Sequence, residues 1–321
     1  MMLLGACAGW SLITAAAHDG RPEGMLLAVL AVTAGHAVGR VSGALLPVAA
    51  PCAGAVTGLA LAVVLPGLSA GARYAGPLGH AGATAALLAL ATGAACCAAW
   101  AAPVPELRLV LRLLAAGIVP TGAVLGSVAG CAASAAVLLC SLAAGSMSRR
   151  GVSLLFLAVA AGLVAGTTWA LAADVLPSDL ARMFGGRPTG HRVALWQDAL
   201  RLAGRNRGLG VGPGRFGELG APAPQTADGR PHSALLQLAA EQGLVGVLLI
   251  VATFCWVLHA LWRSPRSTPV ALTAGAALTA VAVFATVSNA LSFTTVTVGA
   301  GLLAGWATAR PWARAGADPR L

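Results

Sequence analysis

Long apolar runs recur along the whole chain, and they limit the folds that this sequence can adopt. A helix that crosses the hydrocarbon core of a bilayer needs about 20 apolar residues, and ten segments approach or exceed that length. Only 9% of the 321 residues are charged, whereas soluble domains carry about 25%. These features exclude a soluble domain and a disordered chain, and they predict an all-α, polytopic bundle of transmembrane helices.

The predicted bundle is one integral membrane domain, residues 1–321, with about ten spans and one long loop at residues 177–233. Two of the segments are short, and Pro47, Pro51 and Pro66 delimit or kink the third. In chain order, the predicted spans are 1–17, 25–39, 45–70, 80–102, 105–119, 124–146, 152–176, 234–262, 268–287 and 290–309.

The placement of arginine predicts the orientation. With the N-terminus in the cytoplasm, ten arginines fall on the inner side and only Arg21 and Arg73 fall in short outer loops. The positive-inside rule therefore predicts a multi-pass protein of the plasma membrane with both termini cytoplasmic and the long loop outside. That loop carries eight arginines and four acidic residues. The net positive charge of this loop attracts an anionic ligand or anionic lipid headgroups. Alternatively, the loop is only solvated, and lipid headgroups balance its charge.

Several classes of chemistry are excluded by residue type. All twenty basic residues are arginine, so the chain has neither the lysine of a P-loop nor that of a Schiff-base enzyme. The sequence contains no HExxH, and the predicted outer loop has no DxD, so metal-dependent glycosyl transfer is not supported. We expect no metal, no other cofactor and no nucleic acid partner.

The long loop contains a predicted amphipathic helix at residues 192–203. Its apolar residues recur on one helical face, and we expect this helix to lie at the membrane interface with a tryptophan as its anchor. Asp198 and Arg201 are spaced as an i,i+3 pair. The apolar stripe consists of Val193, Trp196, Leu200 and Ala203.

Residues 208–214 follow this helix and hold four glycines and one proline. This composition rules out a helix and predicts a tight turn. The turn either presents its N–H groups as an anion nest or only connects two elements.

Ionisable groups then mark the start of the eighth span. Ser233 is a candidate N-cap, so His232 is predicted at the outer mouth of a membrane helix. It serves there in proton transfer on a membrane-borne substrate, or it is structural. Glu241 is predicted inside the span, where a carboxylate is a functional candidate or pairs with a loop arginine.

These motifs follow one another in a characteristic order within residues 192–246. In this order, on an outer loop between two spans, they resemble the O-antigen ligase and polymerase-like family of bacterial membrane glycosyltransferases. The ordered set is Arg192-x-x-x-Trp196, Gly210-Val-Gly-Pro-Gly-Arg-Phe216, His232-Ser-x-x-Leu236-Gln237 and Glu241-x-Gly243-Leu-x-Gly246.

The resemblance implies a GT-C-type helical fold with its active site at the outer leaflet. Such proteins move a glycan from an undecaprenyl diphosphate carrier to an acceptor hydroxyl on a glycan or lipid, without a nucleotide sugar or a metal. It implies that Arg192 holds the diphosphate, for which a guanidinium is a bidentate donor. It also implies that His232 assists the attack of the hydroxyl. The candidate substrate-binding residues are Arg187, Arg215, Trp196 and Glu241.

The alternative is a non-catalytic relative that binds the lipid-linked saccharide or scaffolds a polysaccharide export complex. The sequence differs from the family in three ways, of which the absent outer arginine and the smaller number of spans favour this alternative. Ser233 stands where the family usually has asparagine, and Pro120-Thr121-Gly122 occupies the place of an outer Ser-Arg-Gly. Ten predicted spans are also fewer than the roughly twelve that the resemblance implies. A transporter is disfavoured because the sequence shows no inverted repeat.

Overall fold

The computed structural model describes residues 2–68, 77–147, 149–175, 189–216 and 233–310, and their regular secondary structure is entirely helical. A short 3₁₀ turn, Ala290–Ser292, precedes the last helix. The α-helices of these residues are α1 (Met2–His18), α2 (Glu23–Leu45), α3 (Ala49–Leu68), α4 (Pro77–Ala101), α5 (Pro105–Val124), α6 (Val128–Ala144), α7 (Arg150–Ala172), α8 (Thr189–Arg205), α9 (Ala234–Trp262), α10 (Thr268–Val287) and α11 (Thr294–Thr308).

Each of the ten predicted spans contains a helix, but over the described residues fewer than ten of these helices have the length and apolarity of a crossing. Among the described residues, six helices have the length and apolarity for a crossing: α2, α4, α5, α7, α9 and α10. Helices α1, α3 and α6 are apolar over shorter stretches, and α11 has 15 residues. The two segments that looked short in sequence are longer as helices, with 23 residues in α2 and 20 in α5.

Helix α4 lies at the centre of the bundle. Of the residues in its apolar segment, 94% are buried, compared with 22% in the neighbouring α5. The segment is rich in alanine, and small side chains let the surrounding helices approach closely. Helices α3, α5, α6 and α10 pack around it.

Helices α2 and α11 make the most extensive contact of any two described helices, and glycines on both helices allow their close approach. A Cβ at Gly35 would lie 2.5 Å from the carbonyl oxygen of Val298, and one at Gly305 would lie 2.5 Å from that of His36. Lipid tails are as apolar as the helices, so close van der Waals packing rather than hydrophobic burial holds such pairs together. The glycines are therefore required for this pair to form.

Two arginines hold helix ends together at one end of the bundle. Arg266 donates from Nε to the carbonyl of Ala309 at 2.9 Å and from Nη2 to that of Gly43 at 2.6 Å. Arg150 donates from Nη1 to the carbonyl of Ser264 at 3.1 Å. Burial lowers the pKa of Arg266, and the carbonyls that helix ends leave unpaired compensate for its desolvation.

Helix α9 is broken at Gly243, where φ is 68° and ψ is −165°. The second part, residues 244–262, is about 28 Å long at 1.5 Å per residue, close to the roughly 30 Å of a hydrocarbon core. The first part, residues 234–242, is therefore not needed for a crossing. The predicted span at 234–262 has the length and apolarity of a crossing, but it is not continuous, and Glu241 lies before the break instead of within an unbroken transmembrane helix.

Candidate functional site

The first part of α9 packs against α8 and the glycine-rich segment between them. We call α8, residues 206–216 and residues 234–242 the cap. Trp196 and Ala199 of α8 form a buried cluster with Phe216, Leu236 and Ala240. Trp196 is only 6% exposed. The expectation that Trp196 anchors α8 in lipid is therefore wrong, because protein side chains cover the apolar face of the helix.

Helix α8 extends beyond its predicted bounds of 192–203 at both ends, and Arg192 lies about one turn after its start. The predicted pair of Asp198 and Arg201 is confirmed, with 3.3 Å between Oδ1 and Nη2. The buried positions include Leu195, Trp196 and Ala199, so the covered face overlaps the predicted apolar stripe only in part.

The glycine-rich segment, residues 206–216, docks onto the break in α9. The N–H of Val211 donates to the carbonyl of Ala240 and the N–H of Gly212 to that of Glu241, each at 2.9 Å. These bonds satisfy carbonyls that the break leaves without helical partners. These two amides are engaged with α9 and are therefore not donors of the predicted anion nest, which favours the alternative of a connecting turn.

The conformation of this segment explains its glycines. Gly210, Gly212 and Gly214 have φ values of 69°, 96° and 78°, which side-chain-bearing residues rarely adopt. A Cβ at Gly210 would also lie 2.6 Å from the backbone nitrogen of Gln242. The segment can therefore approach α9 only with glycine at this position.

The N-terminal helix clamps the cap from the other side. The indole N–H of Trp10 donates to the carbonyl of Gln242 at 3.0 Å, and Arg215 donates from Nη1 to the carbonyl of His18 at 2.6 Å. The N–H of Arg21 donates to the carbonyl of Pro213 at 2.7 Å. Sequence reasoning missed this role of α1, because no motif in residues 2–18 distinguishes it from an ordinary span.

The same contacts bring a second arginine beside the cap. Arg21 is exposed, and a Cβ at Gly214 would lie 3.4 Å from the Cβ of Arg21. The α1–α2 turn therefore places Arg21 next to the backbone that carries Arg215. In the sequence, the only signal for Arg21 is that it is one of two arginines in short outer loops.

Glu241 lies at the base of the cap, immediately before the break. Its side chain is 7% exposed, and its Oε1 accepts a hydrogen bond from Nε2 of Gln237 at 3.0 Å. The predicted N-cap is confirmed, because Ser233 Oγ accepts from the N–H of Leu236 at 3.3 Å. His232 precedes this cap residue directly and lies outside the described residues.

The structure thus places four candidate residues in one unit, the cap. Arg192 and Trp196 lie on α8, Arg215 lies on the glycine-rich segment, and Glu241 lies on the first part of α9. Arg187, like His232, falls outside the described residues.

Substituting Trp10 by phenylalanine tests the clamp. The ring remains and only the N–H that reaches Gln242 is lost, which costs about 1 kcal/mol. We expect faster amide exchange in residues 207–216 and a slightly lower melting temperature. Trp262→Phe is the matched control, since Trp262 is 55% exposed and lies at the opposite end of α9 from the cap. Equal exchange rates in the two variants would contradict the clamp.

Comparison with known proteins identifies the family. Residues 78–251 match the family model described as O-antigen ligase, which covers more than half of the chain and runs from α4 into α9. No curated protein and no solved structure matches the chain. With its apolar helices, this chain is a multi-pass membrane protein of polysaccharide biosynthesis and belongs to the O-antigen ligase family.

Proposed function

We propose that the protein transfers or polymerises a glycan from an undecaprenyl-diphosphate-linked donor to the hydroxyl of a glycan or lipid acceptor. Family membership supports glycan transfer. The observation that carries the proposal is the docking of residues 206–216 on the break in α9. This docking holds the segment that carries Arg215 against the backbone of Glu241, and Phe216 packs with Leu236 near the start of α9, which His232 precedes.

The proposed reaction needs two kinds of group. The acceptor oxygen forms a bond to the anomeric carbon, the bond from that carbon to the diphosphate oxygen breaks, and the diphosphate leaves on its carrier. His232 takes the proton of the acceptor hydroxyl, because an imidazole is a side chain that can act as a general base at neutral pH. Arg192 donates to the diphosphate, and these bonds strengthen as the leaving group gains charge.

The remaining candidate residues have supporting roles in this proposal. Arg187 and Arg215 add donors for the diphosphate. Trp196 and Glu241 are nearly buried, so we assign their contribution to substrate binding to the position of the segment that carries Arg215. We add Arg21 to the arginines that bind the diphosphate, because it lies next to the segment that carries Arg215.

We place the cap on the outer face of the plasma membrane, with both termini in the cytoplasm. The arginine count supports this orientation, since ten arginines fall on the opposite side and two in short loops on the cap side. The carrier-linked sugar then meets the cap at the outer leaflet, where a polyprenyl chain lies in lipid and its diphosphate in water.

The alternative function is binding of the lipid-linked saccharide without turnover, or scaffolding of an export complex. One observation favours it. Pro120 lies inside α5, and Thr121 Oγ1 donates to the carbonyl of Ile118 at 2.6 Å, so this outer position provides a helical turn instead of an arginine. Arg21 on the α1–α2 turn weighs against this alternative.

Substituting Arg192 or His232 by alanine tests the proposal. With an undecaprenyl-diphosphate-linked saccharide in proteoliposomes, we expect product formation to fall by about 10²-fold or more in each variant. Arg201→Ala is the matched control, because its side chain is 69% exposed and pairs with Asp198.

All three variants should keep the melting temperature of the wild type within a few degrees. Full product from both Arg192→Ala and His232→Ala would overturn the enzymatic proposal. Wild-type protein that binds the donor and forms no product would instead establish the alternative function.

A further inference from the structure

A pair of arginines lies on α5, far from the cap. Arg108 and Arg112 are four residues apart and therefore share one helical face. The cap end of the bundle is marked by Ser288, whose carbonyl accepts from the N–H of Ala234 and whose side chain packs against Gly82 of α4. Trp100 of α4 contacts Arg112 and lies about 27 Å further along α4 than Gly82 does.

An aromatic ring orients one of the two guanidinium groups. The guanidinium carbon of Arg112 is 5.1 Å from the ring centroid of Trp100, which is a cation–π contact. The indole N–H of Trp100 donates to Ser141 Oγ at 3.0 Å, and Thr273 Oγ1 donates to the same oxygen at 2.9 Å. Helices α6 and α10 thus hold the Trp100 ring in place, so the ring is positioned for Arg112 before a ligand binds.

Both arginines retain donors that no described residue satisfies. Arg108 donates from Nη2 to the carbonyl of Ala102 at 3.1 Å, and its buried Nε has no acceptor within the described part of the chain. Arg112 has five N–H donors and no hydrogen-bond acceptor among those same residues. The nearby acid on α5, Glu106, is exposed and not within 4.0 Å of either guanidinium.

The surroundings of the pair indicate what satisfies these donors. Leu109, Val110 and Leu113 of α5 are 60%, 59% and 62% exposed, so this side of the helix faces lipid. An arginine charge at the edge of the hydrocarbon core costs free energy unless a hydrogen-bond acceptor or a negative charge compensates it. A phosphate group matches the fork geometry of guanidinium, and basic sites between helix ends bind anionic headgroups.

We propose that Arg108, Arg112 and Trp100 form a binding site for the phosphate of an anionic phospholipid headgroup. The headgroup accepts from both guanidinium groups, while its acyl chains lie along the exposed leucines and valines of α5. This site is separate from the cap and does not depend on the proposed glycan transfer.

The test uses the purified full-length protein and phosphatidylglycerol, with phosphatidylcholine as the neutral lipid. In native mass spectrometry we expect retained phosphatidylglycerol to fall at least tenfold in the double variant Arg108→Gln/Arg112→Gln. The matched control is Arg149→Gln/Arg263→Gln, which removes two exposed arginines from the same end of the bundle and should retain the lipid like the wild type. Equal loss in the control pair would overturn the site in favour of diffuse attraction.

Trp100→Leu provides a second variant, which keeps the charges of Arg108 and Arg112 and removes the aromatic ring that orients Arg112. We expect it to lower phosphatidylglycerol retention several-fold, and unchanged retention would overturn the role of the ring. Inorganic phosphate is the competitor that distinguishes a lipid headgroup from a free anion. Displacement of phosphatidylglycerol by millimolar phosphate would overturn the headgroup assignment, whereas retention of the lipid supports it.

Discussion

Replacing Gly243 by leucine should reduce glycan transfer below detection while the transmembrane helices stay assembled. At φ 68° and ψ −165° the backbone is in a region that is essentially restricted to glycine, and another residue there costs about 1–3 kcal/mol. A Cβ would also lie 2.5 Å from the carbonyl oxygen of Gly208 and 2.8 Å from that of Arg207. These oxygens are backbone atoms that cannot rotate away.

Relief of this clash requires the glycine-rich segment to leave α9. The hydrogen bonds from Val211 to Ala240, from Gly212 to Glu241 and from Leu244 to Arg207 are then lost, each worth about 1 kcal/mol. Arg215 moves with the segment, so the proposed diphosphate donors separate from the start of α9. We expect both donor binding and product formation to fail.

Transfer assays in proteoliposomes and amide exchange of residues 207–216 measure this outcome. Gly204→Leu is the matched control, because Gly204 lies on α8 within the cap and a Cβ there meets no atom within 4 Å. This control should keep its activity and its exchange rates. A Gly243→Leu protein with wild-type activity would refute the requirement for the break.

Replacing Gly39 by leucine should prevent recovery of folded protein. A Cβ at Gly39 would clash with the carbonyl oxygen of Leu302 and lie 3.0 Å from its Cα. Both are backbone atoms of α11, so the two helices must separate. Since close packing is a main force between transmembrane helices, separation removes most of the contacts between α2 and α11.

Size-exclusion chromatography and thermal melting in detergent measure this effect. Gly24→Leu on the same helix is the matched control, because a side chain at Gly24 meets no atom within 4 Å. It should elute and melt as the wild type does. If Gly39→Leu also behaved as the wild type, the glycine contact between α2 and α11 would not be required for folding.

The two substitutions separate folding from function. Gly39→Leu should fail before any assay of glycan transfer, whereas Gly243→Leu should yield a folded bundle without product. Melting temperature and transfer activity, measured on the same preparations, distinguish the two outcomes.

Hydropathy and local spacing were enough to predict much of the local structure. Each predicted span contains a helix because apolar runs of this length must satisfy their backbone hydrogen bonds internally. The N-cap at Ser233 and the pair of Asp198 and Arg201 were also predictable, since both depend on residues three positions apart. The ordered motifs from Arg192 to Gly246 led to the same family that the match at residues 78–251 identifies.

Periodicity could not predict what covers an apolar face. The stripe on α8 has the same pattern whether lipid or protein packs on it, and the burial of Trp196 depends on Phe216 and Leu236. Likewise, the composition of residues 208–214 predicts a turn but does not reveal that their amides donate to α9. Those acceptors exist only because α9 breaks.

The amino-acid sequence alone determined the class of protein, the positions of its helices and the family, because apolarity, capping and motif order are properties of neighbouring residues. Only the tertiary structure decided that α9 breaks at Gly243 and that α1 clamps the cap. The physical reason is that a broken helix must find hydrogen-bond partners elsewhere. Here they come from Trp10 and from residues 207–212, which are distant from α9 along the chain and adjacent to it in space.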